Sequence, residues 1–259
     1  MATREHISYS ELKDWAHCPH YHQKAWVEKI APFQGNEYTA FGSAIHDVCE
    51  KKLLKEDIDE GELFQIGFDK RLQDLLEKHI EVEPSNIEQM KVAGPKILAE
   101  VDEALQDYFG DYEVFSSEEM LYVPIEDFNI FFKGFVDAVV KVGDTYHLFD
   151  WKTCSWGWNS RKKAEKLVTY QLTLYKHFFC LKHKIDPSKV ETHFALLKRT
   201  AKKNRVEIFK VSSGPKKIEN ALKLLYQAIY NISKKFTIKN RLNCHKPYPC
   251  KLLNTEHCR

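Results

Sequence analysis

In the first hundred positions apolar residues recur every three to four places, the spacing of amphipathic helices. Ser8 with Glu11 three residues later has the form of a capping box, so a helix is predicted to start over Ser8 to Lys13. Phe41, Ile45, Val48 and Leu53 predict a helix over Gly42 to Leu54. Leu63, Phe68, Leu72, Leu75 and Leu76 predict another, and Ile97, Leu98, Val101, Leu105, Tyr108 and Phe109 a third, opened by Pro95.

The texture changes at Glu113. Segments 113–125, 128–142 and 145–152 are rich in Val, Ile, Phe and Tyr, with breaks at Glu126-Asp127 and Gly143-Asp144. They predict three consecutive antiparallel strands joined by tight hairpins. Helical spacing returns over Ser160 to Leu181; strands are predicted at 190–199 and 205–212, and a helix at 215–236. The order implies an α/β fold with a mixed central sheet. It reads as one domain: a mainly helical annex over 1–112, a core over 113–236 and a cysteine-bearing tail over 237–259.

Composition adds little until it is divided. The 259 residues are 43% hydrophobic and 29% charged, a globular composition, and the net charge is only +2. Residues 1–150 hold 14 Lys and Arg against 31 Asp and Glu, a net of −17, whereas residues 151–259 hold 25 against 6, a net of +19. A strongly basic half points to a polyanionic partner and away from a plain small-molecule enzyme. No apolar run approaches the roughly eighteen residues of a membrane span, and the polar segment Met1 to Asp14 is not a secretory signal. Seven cysteines, an odd number without a signal peptide, fit a reducing, cytoplasmic compartment in which clustered thiols hold metal. There is no Walker A motif, so no P-loop motor is encoded.

The chemistry-bearing residues fall on the predicted hairpin. Positions symmetric about the 143–144 turn face each other, so Asp137 opposes Asp150 on one face of the sheet. Lys152, two residues on, shares that face. Two carboxylates and an ammonium suit a divalent cation beside a phosphate: the acids supply hard oxygen ligands, and the lysine holds the attacking water or the developing charge. Beyond Lys152, the run Cys154 to Lys163 interleaves Trp156 and Trp158 with Arg161, Lys162 and Lys163. Rings there can stack on exposed bases while the cations meet phosphates. Lys198, Arg199, Lys202, Lys203 and Arg205 form a second basic cluster on a predicted turn. Neither cluster carries a base-reading motif, so weak sequence preference is expected.

Phe41-Gly-Ser-Ala-Ile-His46, Gly134-x-x-Asp137, Asp150-x-Lys152 and Gln171-x-x-x-Tyr175, in that order, resemble the RecB-like branch of the PD-(D/E)XK nucleases. The opening Ser8-Tyr-Ser-Glu-Leu12 and Trp15-x-x-Cys18-Pro19 are similar to the CRISPR-associated and phage exonucleases of that branch. The resemblance runs from about residue 7 to the C-terminus and implies a restriction-endonuclease-like core. His46 would join Asp137 and Asp150 as a metal ligand, with the Trp151 carbonyl a further donor. An imidazole among carboxylates favours Mn²⁺ over Mg²⁺. Gln171 and Tyr175, one helical turn apart, would sit near the DNA and Lys152. Glu119 is expected as a further acid at the site, with the adjacent Glu118 facing away.

In the resembling exonucleases one early and three late cysteines bind a 4Fe–4S cluster, which implies Cys18, Cys244, Cys250 and Cys258 here. Their late spacing, C-x5-C-x7-C, departs from the C-x2-C-x5-C of that family and needs a longer loop through Lys246 to Pro249. Zinc is the alternative, with His245 or His257 replacing a thiolate. Cys49, Cys154 and Cys180 are expected as buried thiols. The implied function is a metal-dependent exonuclease on single-stranded or end-bearing DNA, in bacteria or phage-infected cells. The alternatives are a non-cleaving nucleic-acid-binding module of the same fold, or a nuclease subunit that requires a helicase, integrase or recombination partner.

Overall fold

The structure, a computed structural model, describes residues 4–30, 33–245 and 250–259. The chain divides into two compact units. The larger comprises residues 34–120 and 135–213; the smaller gathers residues up to 33, 121–134 and 214 onward.

In the smaller unit β1 (His6–Ser8) runs parallel to residues 131–133, His6 opposite Phe131. The strand ends at Ser8, and the helix start expected there follows it directly. Ser8 is the cap of α1 (Tyr9–His17), its hydroxyl accepting from the Glu11 N–H. The short α2 (Pro19–His22) follows. Nearby, the buried Glu11 carboxylate pairs with His22 and Arg4.

Four helices open the larger unit: α3 (Glu37–Leu53), α4 (Glu60–Glu77), α5 (Pro84–Leu98) and α6 (Val101–Phe109). Asn36 and Thr39 cap α3 reciprocally, and the Asp59 carboxylate caps α4 through the Glu62 N–H. The expected helix opened by Pro95 is two helices. Pro95 lies in the last turn of α5, and α6 starts after a break at Ala99 and Glu100. Phe41, Phe64 and Phe68 pack with ring centroids 5.6–5.9 Å apart, and Gly94 lets α5 lie directly on the Phe64 ring.

These helices cover one face of a mixed sheet. Strand β2 (Glu113–Pro124) pairs with β3 (Phe131–Val142), which pairs antiparallel with β4 (Thr145–Cys154). Strand β4 runs parallel to β5 (Val190–Lys198), and β5 is antiparallel to β6 (Val206–Val211). Ala138, Val140, Phe149 and Trp151 enter the helical core. By the period-two rule Asp137, Leu148, Asp150 and Lys152 turn to the other face. Two helices follow β4, the short α7 (Ser160–Lys163) and α8 (Lys166–His183), and α8 packs on that second face against β4 and β5. The last helix, α9 (Pro215–Ser233), returns to the smaller unit. No helix among the described residues is long and apolar enough to cross a membrane.

Candidate active site

The β3–β4 ladder runs from Val142 opposite Thr145 to Ala138 opposite Phe149. One step further, Asp137 stands across from Asp150, and there the Trp151 N–H donates to Asp137 Oδ2 at 2.8 Å. A side chain thus takes a backbone donor at the end of the ladder. On its other edge β4 stays in register with β5, Asp150 opposite Phe194 and Lys152 opposite Leu196.

Around Asp150 the contacts are specific. Its side chain is buried, 2% of the residue being exposed. Gln171 Nε2, from α8, donates to Oδ1 at 2.7 Å and also to the Tyr175 hydroxyl at 3.3 Å. The Lys152 ammonium lies 2.5 Å from Oδ2 and is the charge that engages that oxygen. A buried carboxylate is tolerated where an opposite charge and a donor hold it, as Lys152 and Gln171 do here.

Helix α3 supplies His46, whose Nδ1 is 3.6 Å from Asp137 Oδ2. Gly42, one turn earlier, explains how the helix comes so close. A Cβ there would lie 3.1 Å from Thr153 Oγ1 on β4. His46 and Asp137 keep 30% and 23% of their side chains accessible, so an ion can reach both. His46, Asp137, Asp150, Lys152, Gln171 and Tyr175 are therefore brought together by four elements of one unit.

Crowding by protein atoms dominates their electrostatics. Burial lifts Asp137 and Asp150 each to about 6, against the pull of the Lys152 charge. Burial lowers His46 to about 4, so its imidazole is neutral and able to ligate. Burial also acts to lower Lys152, but Asp150 and Asp137 outweigh it and hold the ammonium above its ordinary range. Tyr175 is pushed up by burial and then by Asp150, which keeps its hydroxyl neutral. Two raised carboxylates and a neutral imidazole are the donor types that a divalent cation takes.

The profile of the PD-(D/E)XK nuclease superfamily matches residues 6–255. The chain belongs to this superfamily. At the level of the family its function is hydrolysis of nucleic acid, and nucleases of the PD-(D/E)XK superfamily act on DNA and typically use Mg²⁺ or Mn²⁺. No curated protein matches the sequence. Among solved structures it is similar to a "putative exonuclease" from Eubacterium rectale, with a TM-score of 0.58 and 14% identity over 96% of this chain and 86% of that one. That is a likeness of fold. The structure of SSO0001 aligns over 76% of this chain and 88% of its own, with a TM-score of 0.34 and 13% identity.

The expected acid Glu119 is not part of this cluster. Its carboxylate is held by Lys182 Nζ at 2.6 Å and His183 Nε2 at 2.7 Å, at the far end of α8. Glu118 adopts a left-handed φ of 47°, which interrupts the alternation of β2. Its negative charge bears on His46 and Asp137, as does that of Asp47 on His46. Glu50, one turn beyond His46, was also missed; burial and then Glu118 raise its carboxyl. Its spacing of four from His46 was the available signal.

The basic tract divides into free and engaged residues. Trp156 is 72% exposed. Trp158 is instead half-buried against Phe194 and Phe209, so it is a packing residue and not a free stacking platform. Lys162 pairs with Glu165, while Lys163 and Lys198 share Glu207. Arg199 donates to Ser155 Oγ at 2.8 Å and stacks 4.9 Å over the Tyr38 ring. Arg205 pairs with Glu100. Arg161, Lys202 and Lys203 are exposed and have no ion pair among the described residues.

In the smaller unit Cys18, Cys244, Cys250 and Cys258 line one cleft with His17, His20 and Tyr21. Burial, then Cys250, Cys258 and Cys18, push the Cys244 thiol above its ordinary range, which reports their proximity. Neither His245 nor His257 lines the cleft. The Lys246 to Pro249 loop lies outside the described residues. Of the other thiols, Cys49 and Cys180 are buried and Cys154 is partly so.

Proposed function

We propose that this protein is a divalent-cation-dependent deoxyribonuclease acting as an exonuclease on single-stranded or end-bearing DNA, with a 4Fe–4S cluster on Cys18, Cys244, Cys250 and Cys258. The observation that carries the catalytic reading is the buried Asp150 carboxylate, held between the Lys152 ammonium and Gln171 on the strand that adjoins Asp137, with His46 beside Asp137. His46, Asp137 and Asp150 would hold the cation, which supplies charge to the scissile phosphate and acidity to water. Mn²⁺ suits the imidazole and Mg²⁺ the carboxylates.

The chain's own groups divide the remaining work. Gln171 fixes Asp150 through Oδ1 and leaves Oδ2 to Lys152. Lys152 stays protonated between two carboxylates, so it serves as a charge and a donor toward water and phosphate, not as the proton acceptor. Tyr175, kept neutral, holds Gln171 in place. Trp156, Arg161, Lys202 and Lys203 offer a stacking ring and unpaired cations to a strand. The convergence of four free thiols in one cleft supports the cluster; zinc is the competing occupant.

The test uses protein purified without oxygen and incubated with Mn²⁺ or Mg²⁺ and labelled DNA, single- and double-stranded, linear and circular. Loss of linear strands from their ends with circles intact is expected. Cutting of circles would replace the exonuclease reading with an endonuclease. Binding without cleavage in every condition, with or without a helicase or integrase, would overturn the enzyme reading in favour of a binding module. A brown, iron-containing protein supports the cluster, and a colourless, zinc-containing one refutes it.

A further inference from the structure

We infer that His147, Glu191 and His193 form a second metal site in the larger unit, taking a zinc-type divalent transition ion. His147 lies on β4, and Glu191 and His193 lie on β5, where His147 pairs with Glu191 and Phe149 with His193. His147 Nδ1 is 3.0 Å from His193 Nε2, and Glu191 Oε2 is 3.8 Å from the first and 3.9 Å from the second. Ligand bonds of about 2.0–2.2 Å in a tetrahedron separate neighbouring donors by about 3.3–3.6 Å, so these three atoms nearly outline one of its faces. Among the described residues, this is the one set of three or more such side chains whose donor atoms all lie within 4.8 Å.

A hydrogen-bonded histidine pair explains only part of the arrangement. It accounts for the 3.0 Å contact but leaves the Glu191 oxygen beyond hydrogen-bond reach of both rings. A cation between them would give the Glu191 oxygen and both ring nitrogens one common partner after shifts of a few tenths of an ångström. The surroundings match those of a metal-bound imidazole as well. Tyr108 Oη lies 3.2 Å from His193 Nδ1, where it can accept a hydrogen bond from the Nδ1–H of the tautomer that leaves Nε2 to ligate. Phe109 packs on both imidazoles, and His193 is only 2% exposed. Burial lowers both histidines, His193 to about 3, so both rings are in the neutral, ligating form. Lys210 holds Glu191 Oε1 at 2.5 Å and leaves Oε2 for the ion. Two imidazoles and one carboxylate leave a fourth position for water. The ion would tie β4 to β5 three residues before Asp150, without touching the nuclease cluster.

The experiment counts zinc bound by the full-length protein after gel filtration, in wild type and in His147→Asn, Glu191→Gln and Tyr108→Phe. His147 and Glu191 are the more accessible ligands, so their variants keep the fold, which circular dichroism checks. Each should bind one equivalent fewer zinc than wild type and lose the zinc-dependent part of its unfolding midpoint. Tyr108→Phe should keep the equivalent but bind it about tenfold more weakly. With Co²⁺, visible bands of a nitrogen–oxygen site should vanish in His147→Asn while any thiolate-to-cobalt absorption persists. Unchanged stoichiometry in His147→Asn and Glu191→Gln would overturn the site.

Discussion

Asp137 and Asp150 carry acid groups on adjacent strands, and burial lifts both to about 6. A cation that takes both must displace protons below neutrality. Mn²⁺ affinity is therefore expected to rise steeply from pH 5 to 7 and to level off above it. Calorimetry in buffers of different ionisation enthalpy should detect proton release near pH 6 and none at pH 8. The neutral His46 adds no step in that window, because it titrates near 4. Stability of the metal-free protein should run the opposite way. The folded carboxyls hold protons more tightly than the unfolded ones, so stability contributed at low pH is lost as pH rises from about 4 through about 6. Gln171→Leu should free Asp150 Oδ1 and cost hydrolysis about 10- to 100-fold, with circular dichroism unchanged. The pairing of Asp137 with Asp150 was legible because a two-residue turn fixes the register of a hairpin. The choice between Glu118 and Glu119 was not, because the alternation rule assumes an unbroken strand and the left-handed Glu118 breaks it.

At the scale of elements, two glycines set close approaches and make separable tests. A side chain at Gly42 meets Thr153, so Gly42→Val should lift α3 from β4 and weaken Mn²⁺ binding about tenfold through His46. At Gly94 a Cβ would lie 2.3 Å from the Phe64 ring. Gly94→Ala should therefore cost about 1–3 kcal/mol in denaturant unfolding while leaving Mn²⁺ affinity near wild type. Neither contact is visible in the sequence, where Gly42 opens a predicted helix and Gly94 stands just before one. Long periodic helices and the Val- and Phe-rich strands were legible, since burial of one stripe or one face repeats along the chain. Strand β1 was not: three residues carry too little period, and pairing with Phe131 to Lys133 is a long-range choice. Pro95 was read as a helix start because a proline in a final turn has the same local sequence as one in a first turn.

For the whole chain, the −17 and +19 halves place most acids before Trp151 and most cations after it. Many of those cations are neutralised locally, which the sequence did not reveal; Lys163 and Lys198 both pair with Glu207. Replacing Lys202 and Lys203 by Ala should lower the salt slope of DNA binding by about one for each phosphate that is no longer neutralised. Lys163→Ala should change it far less. The most direct test of the metal-dependent active site is the initial rate of DNA hydrolysis by wild type and Asp150→Asn across a Mn²⁺ titration, with fold checked in parallel. Wild type should be inactive without the cation and saturate with it, and Asp150→Asn should fall by at least about 100-fold at every concentration. Hydrolysis without a divalent cation, or an Asp150→Asn rate equal to wild type, would contradict it.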